Sequence, residues 1–251
     1  MLDWLSKWSS RQSERPAAPD HEIFAVGDIH GCVDILRKLL SQIYRARHTA
    51  KPEVIFLGDY VDRGPSSREV IDLLLSDAVK EKFSPVFLKG NHEATLLDFL
   101  VDPSVGPSWS QYGGGETLLS YGVKYPAFKG DPEGWADASR ELRLRLPRSH
   151  RHFFEALEIF TERGCYFFAH AGVDPDRPIS DQRESDLLWI REAFLNDNRR
   201  LERIIVHGHT PQDAPTSDMR RIGLDTGGYQ TGRLAAAHIR GDQVEFIISD
   251  A

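Results

Sequence analysis

The sequence predicts an α/β protein with a sheet that is not purely parallel. Short apolar runs alternate with stretches of helical apolar spacing over residues 22–100, each run ends near a glycine and a polar residue, and the chain closes in β-structure. The first strand is expected over Glu22–Val26, the second over Val54–Leu57 and the third over Pro85–Leu88. Between them, Ile35, Leu36, Leu39, Leu40 and Ile43 recur on one helical face within Val33–Arg47, and Val70, Ile71, Leu73 and Leu74 do so within Ser66–Lys82. A further helix is expected from His92 to about Leu100. The pattern then blurs through DPSVGPSWSQYGGGETLLSYG and on to Arg151. Its glycine run, prolines and scattered Trp and Tyr argue for an insertion of short helices over residues 101–151, a cap over the site. Order resumes with a strand at Cys165–Ala169, a helix near Asp186–Leu195, and strands at Arg203–Val206, Arg221–Leu224, Leu234–Ile239 and Val244–Ile248.

The length of 251 residues, 40% of them hydrophobic, suffices for one large core, expected over residues 21–251. Residues 1–20 read as a tail or a short amphipathic helix, with Leu2, Leu5 and Trp8 on one face and Trp4 at its edge. A formal charge of −7 gives no long-range pull toward nucleic acid, so duplex binding is not expected and any phosphate recognition must be local. Cys32 and Cys165, without CxxC spacing, fit a reduced cytoplasmic protein. No stretch approaches the roughly 20 apolar residues of a membrane helix.

Polar clusters follow five of the strands: Gly27-Asp28-Ile29-His30-Gly31, Gly58-Asp59-Tyr60-Val61-Asp62-Arg63-Gly64, Gly90-Asn91-His92-Glu93, His170-Ala171-Gly172 and His207-Gly208-His209-Thr210. In open α/β sheets the carboxyl ends of strands converge on one crevice, so these clusters would meet there. Asp, His and Asn are oxygen and nitrogen donors suited to Mn²⁺, Fe or Zn²⁺, and a carboxylate can bridge two such ions. The combination points to a two-metal hydrolase.

In this order, GDIHG, GDYVDRG, GNHE, HAG and GHT resemble the metallophosphoesterase superfamily, and within it the phosphoprotein phosphatase family, which includes calcineurin and the phage lambda phosphatase. GDYVDRG and GNHE are long and specific; HAG and GHT alone are weak. The resemblance implies a central β-sandwich of mixed sheets flanked by helices, and two divalent metal ions. It implies that Asp28 and His30 hold the first metal, that Asp59 bridges, and that Asn91, His170 and His209 hold the second. His92 then matches the family's general acid, Asp62 the carboxylate that orients it, and Arg63 a phosphate-binding arginine. The WIR ending at Arg191 resembles the WNR of the phage enzyme and makes Arg191 the candidate for a second one.

The activity implied is hydrolysis of phosphoserine and phosphothreonine proteins, with phosphotyrosine as a variant, by direct attack of a hydroxide shared between the metals. A related bacterial family that hydrolyses dinucleoside polyphosphates or RNA 5′-end pyrophosphates shares GDxHG but tends to carry GNHD and to lack the second aspartate of DRG. Glu93 and Asp62 therefore lean toward the protein phosphatases, with a nucleotide substrate as the alternative. A non-catalytic scaffold is the reading from another class, and no expected position is missing to favour it.

Each candidate has a plainer reading. Asp and Asn are common in turns for local hydrogen-bonding reasons, and a lone histidine after an apolar strand is more often a satisfied core residue. Agreement among five clusters reverses those odds. His207 and His209 compete for one inward place, because alternate strand residues face opposite sides, and GHT favours His209. Cys32 is expected to be packed rather than reactive, and Lys89 is given no catalytic role. LDTGGYQTG reads either as a structural hairpin or as a loop near the site through which Tyr229 meets substrate.

Overall fold

The apolar strands assemble into two mixed five-stranded sheets packed face to face. The computed structural model describes residues 15–250, so the expected amphipathic face of Leu2, Leu5 and Trp8 lies outside the described residues. The first sheet has the order β10-β9-β1-β2-β3, from β1 (Glu22–Val26), β2 (Glu53–Phe56), β3 (Ser84–Phe87), β9 (Arg233–Arg240) and β10 (Gln243–Asp250). Here β1, β2 and β3 run parallel, while β9 and β10 are antiparallel additions. The second sheet has the order β4-β5-β6-β8-β7, from β4 (Phe160–Arg163), β5 (Tyr166–Ala169), β6 (Ile204–His207), β7 (Thr216–Ser217) and β8 (Arg221–Gly223). Its parallel core is β5, β6 and β8.

Strand periodicity assigns each residue to a layer. Ile23, Ala25, Ile55, Leu57, Phe168, Val206 and Ile239 fill the space between the sheets. Phe24, Val26, Val54 and Phe56 point the other way, onto α1 (Val33–Ala46), α2 (Ser67–Leu75) and α4 (Asn91–Val101). Phe167, Ala169 and Ile205 carry the outer layer of the second sheet, closed by Leu187 and Phe194. Because the central strands are covered on both faces, they read in sequence as continuous apolar runs rather than alternating ones.

The helix expected over residues 66–82 is two helices, α2 and α3 (Asp77–Lys82). Ser76 between them is extended, with ψ of 151°, and its hydroxyl donates to the Leu73 carbonyl at 2.6 Å, competing with helical continuation. The helix expected near residues 186–195 is likewise broken into α9 (Glu184–Trp189) and α10 (Glu192–Leu195), separated by Ile190 and Arg191. LDTGGYQTG is not a hairpin: β8 and β9 belong to different sheets, and the link between them holds α11 (Gly228–Thr231). Short β4 was not foreseen, since FTER has no apolar run; Glu162 and Phe160 lie on an exposed edge.

The expected insertion contains α5 (Gly106–Gln111), α6 (Gly114–Ser120), α7 (Pro132–Arg145) and α8 (Arg148–Glu155). They join the core of the first sheet through Trp109, Leu118, Tyr121, Trp135, Leu142 and Phe154. No helix among the described residues is long and apolar enough to cross a membrane.

The loops leaving β2 and β3 approach each other at backbone distance. A Cβ on Gly58, which has φ of 104°, would stand 2.5 Å from the Gly90 nitrogen, and one on Gly90 would stand 2.1 Å from Asp59 Oδ1. Only glycine accepts both that conformation and that proximity. Gly58→Ala is therefore expected to lower unfolding stability by at least about 2 kcal/mol in urea titration; a change within about 0.5 kcal/mol, the range of an ordinary surface substitution, would contradict this close approach.

Candidate active site

The carboxyl ends of β1, β2 and β3 from one sheet face those of β5 and β6 from the other, and the six expected ligand side chains converge between them. His30 Nε2 lies 4.0 Å from Asp28 Oδ2 and 3.5 Å from Asp59 Oδ2. Asp59 Oδ2 lies 3.4 Å from His170 Nε2, which in turn is 2.8 Å from Asn91 Oδ1 and 3.2 Å from His209 Nδ1. Asp59 is thus common to both groups, and all six residues are buried.

The hydrogen bonds around the imidazoles decide what the cluster can hold. His30 Nδ1–H donates to the Val61 carbonyl at 2.8 Å, and His170 Nδ1–H donates to the Leu57 carbonyl at 3.0 Å. Each donation leaves the Nε2 lone pair bare, and both lone pairs point at carboxylate or amide oxygens. Acceptors converge on acceptors, an arrangement that a cation relieves. Ligand atoms of His30, Asp59 and His92, and of Asp59, His170 and His209, lie within 4.8 Å of one another in two groups that share Asp59. The donor set therefore fits two cations bridged by one carboxylate.

The electrostatics agree. Burial, followed by the facing Asp225 carboxylate, pushes Asp28 well above the usual carboxylate range; burial, then Asp28 and Glu93, does the same to Asp59. Burial holds His30 and His170 well below the ordinary histidine value, and burial with the nearby Arg191 pushes His209 down to about 3. The neutral imidazoles are already in the form that metal ligation requires, and the crowded carboxylates repel one another in a way that a bound cation would relieve.

Backbone geometry marks the same residues. Among the described residues, the non-glycine positions with φ in the left-handed region are His30 (45°), Asp59 (53°), Asp62 (71°), Arg63 (67°) and His209 (64°). Each is a site residue expected from the sequence, and each such conformation costs about 1–3 kcal/mol, so it persists only where surrounding contacts enforce it. At His209 the enforcing contact is its N–H, which donates to both oxygens of Asp28 at 3.1 Å. This turn follows the end of β6 at His207 and brings His209 inward. His207 itself stays outside the cluster: it is buried edge-on to Phe194, with ring centroids 5.1 Å apart.

At Asp59 the enforcing group is Glu93, whose role was not legible from its place in GNHE. Its Oε2 accepts the N–H groups of Gly90 at 3.0 Å and Asp59 at 2.8 Å, and its Oε1 accepts those of Tyr60 at 2.8 Å and Val61 at 3.2 Å. The Gly90 contact is half of a capping box, since Glu93 is the third residue of α4; that position was the available signal.

The remaining expected residues ring the same crevice. His92 Nδ1–H donates to Asp62 Oδ2 at 2.6 Å, and its Nε2 faces Arg63 Nη2 at 3.3 Å. Arg63 also donates to the Tyr229 hydroxyl at 2.8 Å. A cavity of about 540 Å³ is lined by Arg63, Asn91, His92, Trp109, Trp189 and Arg191, which places both candidate arginines beside the cluster. A larger hollow of about 650 Å³, beside Cys165 and Met219, contains none of these residues. Cys32 is at the start of α1, but burial pushes its thiol up to about 11, in keeping with a packed residue. Lys89 meets Glu184 at 3.8 Å.

The family model of the calcineurin-like phosphoesterases matches residues 21–248, and the chain belongs to that family. It is accordingly a hydrolase of phosphate esters. Its relatives include the bis(5′-nucleosyl)-tetraphosphatase PrpE of Anoxybacillus flavithermus, 25% identical over 84% of this chain and 87% of that protein. Serine/threonine-protein phosphatase 2 of Escherichia coli is 27% identical over 92% of this chain and 99% of that one. Among solved structures, a protein serine/threonine phosphatase from Saccharomyces cerevisiae superposes with a TM-score of 0.59 at 19% identity, covering 93% of this chain and 81% of the other.

Glu93→Gln replaces one acceptor oxygen by an N–H₂ facing backbone N–H groups. With buried donors left unsatisfied at about 1–3 kcal/mol each, the variant is expected to lose about 2–5 kcal/mol of stability in urea unfolding. An unchanged midpoint and slope would show that the four contacts do not hold the loop.

Proposed function

We propose that the protein is a two-metal phosphoprotein phosphatase that hydrolyses phosphoserine and phosphothreonine monoesters. The observation that carries this reading is the buried His92–Asp62 pair, 2.6 Å apart, with its second ring nitrogen facing Arg63. A serine or threonine alkoxide is a strongly basic leaving group and gains much from a positioned acid, whereas a departing nucleotide phosphate is weakly basic and gains little. A pair built to deliver a proton therefore suits a monoester of an aliphatic alcohol.

Asp28 and His30 would hold one metal ion, Asn91, His170 and His209 the other, and Asp59 both. Bound there, two divalent ions, Mn²⁺ by our reading with Fe or Zn²⁺ as alternatives, supply Lewis-acid charge for the phosphoryl oxygens and acidify water. Arg63 and Arg191 bind the remaining phosphoryl oxygens and keep the phosphorus in line for attack. His92 gives its Nε2 proton to the departing oxygen, and Asp62 fixes the ring and stabilises the imidazolium that precedes transfer. The two cysteines, free and unpaired with one another, are in keeping with a reducing cytoplasm.

A dinucleoside polyphosphate is the second reading, favoured by Trp189 and Tyr112. Both line the cavity while remaining 52% and 64% exposed, and they offer ring faces on which a nucleobase can stack. Substrate-panel kinetics separate the two. Phosphoserine and phosphothreonine peptides are expected to give higher kcat/KM than diadenosine tetraphosphate in the presence of Mn²⁺, and the opposite order would reverse the assignment.

Two variants test the roles. His92→Asn should reduce kcat on a phosphoserine peptide by about 10²–10⁴-fold and on para-nitrophenyl phosphate by much less; equal losses would remove His92 as the acid. Asp59→Asn should bind fewer than two metal equivalents by elemental analysis of the purified protein, and full retention would dispose of the bridging role.

A further inference from the structure

Asp62 and Arg63 are consecutive residues that both occupy the left-handed region, with φ of 71° and 67°. On the substrate side lie His92 and the cavity. The carboxylate's further contacts come from the insertion, through α5, α6 and the turn between them, while Ser67 of α2 accepts the Asp62 N–H at 3.1 Å and lies 3.0 Å from the Thr117 hydroxyl. The indole Nε1–H of Trp109 donates to Asp62 Oδ2 at 2.7 Å, the same oxygen that accepts His92 Nδ1–H. Thr117 Oγ1 donates to Asp62 Oδ1 at 2.6 Å, and the Asp62 N–H approaches that hydroxyl at 2.8 Å. The Gly113 carbonyl accepts the Arg63 N–H at 3.1 Å.

These contacts are built tightly. Trp109 and Thr117 are fully buried. The indole lies against Gly114, where a Cβ would fall 2.3 Å from its ring, and a Cβ on Gly113 would stand 2.4 Å from the Arg63 nitrogen. A carboxylate restrained by one donor can still rotate about its terminal torsion, which is broad. Donors on both oxygens from separate helices fix its plane, and with it the ring that shares Oδ2. A phenylalanine in place of Trp109 would fill much of the same space but supply no donor.

We propose that Trp109 and Thr117 are positioning residues for the general acid: by holding both oxygens of Asp62, they fix the direction in which His92 presents its proton to the leaving group. The proposal rests on the reading of His92 as the acid. Residues 106–120 then do two things at once: Ser108, Trp109 and Tyr112 form part of the cavity wall, and Trp109, Thr117 and Gly113 set the geometry of Asp62 and Arg63.

The test uses the full chain loaded with Mn²⁺ and the variants Trp109→Phe, Thr117→Val and Thr117→Ser, with His92→Asn as reference. On a phosphoserine peptide, Trp109→Phe and Thr117→Val are expected to lower kcat at least about tenfold with KM little changed, and to lower kcat on para-nitrophenyl phosphate by less than about twofold. Thr117→Ser, which keeps the hydroxyl, should recover most of the loss. Equal losses on both substrates, or an effect confined to KM, would overturn the positioning role.

A second readout needs no turnover. In metal-free protein, the His92 Nδ1–H held by Asp62 should give a downfield proton resonance, assigned by its absence in His92→Asn. It should shift or broaden in Trp109→Phe and Thr117→Val. A resonance unmoved in both sinks the proposal. If Trp109→Phe does not fold, Thr117→Val, which is nearly isosteric, decides the question alone. If His92→Asn itself fails to distinguish the two substrates, the acid reading falls and takes this one with it. If that variant distinguishes them while the other two behave as the parent, only the positioning role is lost.

Discussion

The site depends on one carboxylate that need not touch substrate. Glu93 accepts four backbone N–H groups from two loops, three of them from the segment that begins at Asp59. Buried N–H groups that find no acceptor are costly, and here the acceptor comes from the first turn of α4 rather than from a neighbouring strand. The loop after β2 is thereby excused from ordinary secondary structure. It can leave the sheet sharply, carry Asp59, Asp62 and Arg63 in left-handed conformations, and still satisfy its backbone. Burial dominates and raises the Glu93 carboxyl above the usual range, with the nearby His92 and then the backbone donors opposing part of that penalty.

From this anchor the two sheets and the insertion become a single device. The first sheet contributes Asp28, His30, Asp59 and Asn91, and the second contributes His170 and His209. The insertion contributes no ligand but contacts Asp62 and Arg63 through Trp109, Thr117 and Gly113. Parts of the chain far apart in sequence divide the work: both sheets supply candidate ligand atoms, and the insertion supplies ring orientation and backbone restraint.

Much of this was legible in the sequence, for definable reasons. The strands with both faces covered are continuous apolar runs, and the turn glycines after them mark where side chains leave the sheet. Those two signals placed β1, β2, β3, β5 and β6 and the polar clusters after them, while the choice of candidate ligands within the clusters, His209 over His207 above all, came from the motif resemblance. Three kinds of feature were not legible. Ser76 breaks a helix through a hydroxyl bond to Leu73 that apolar periodicity does not register. The helix α7 turns only Trp135, Ala138, Ser139 and Leu142 inward, too sparse a stripe to stand out among its charges. The partners of Asp62 lie 47 and 55 residues away, and no local spacing connects Trp109 or Thr117 to it. Asp225 lay in a segment that read equally as a hairpin or as a loop near the site, because what separates the two is its facing Asp28 across the join between sheets.

The seam between the sheets has a consequence for how the protein survives in a cell. Asp59 hangs from one sheet and His170 from the other, 3.4 Å apart. Any ion seated between them fastens the two halves of the sandwich at their open end, and its binding free energy then adds to that of folding by mass action. Catalytic competence and resistance to unfolding would rise and fall together with the supply of that ion. Scarcity would thin the population of intact molecules as well as idle the survivors.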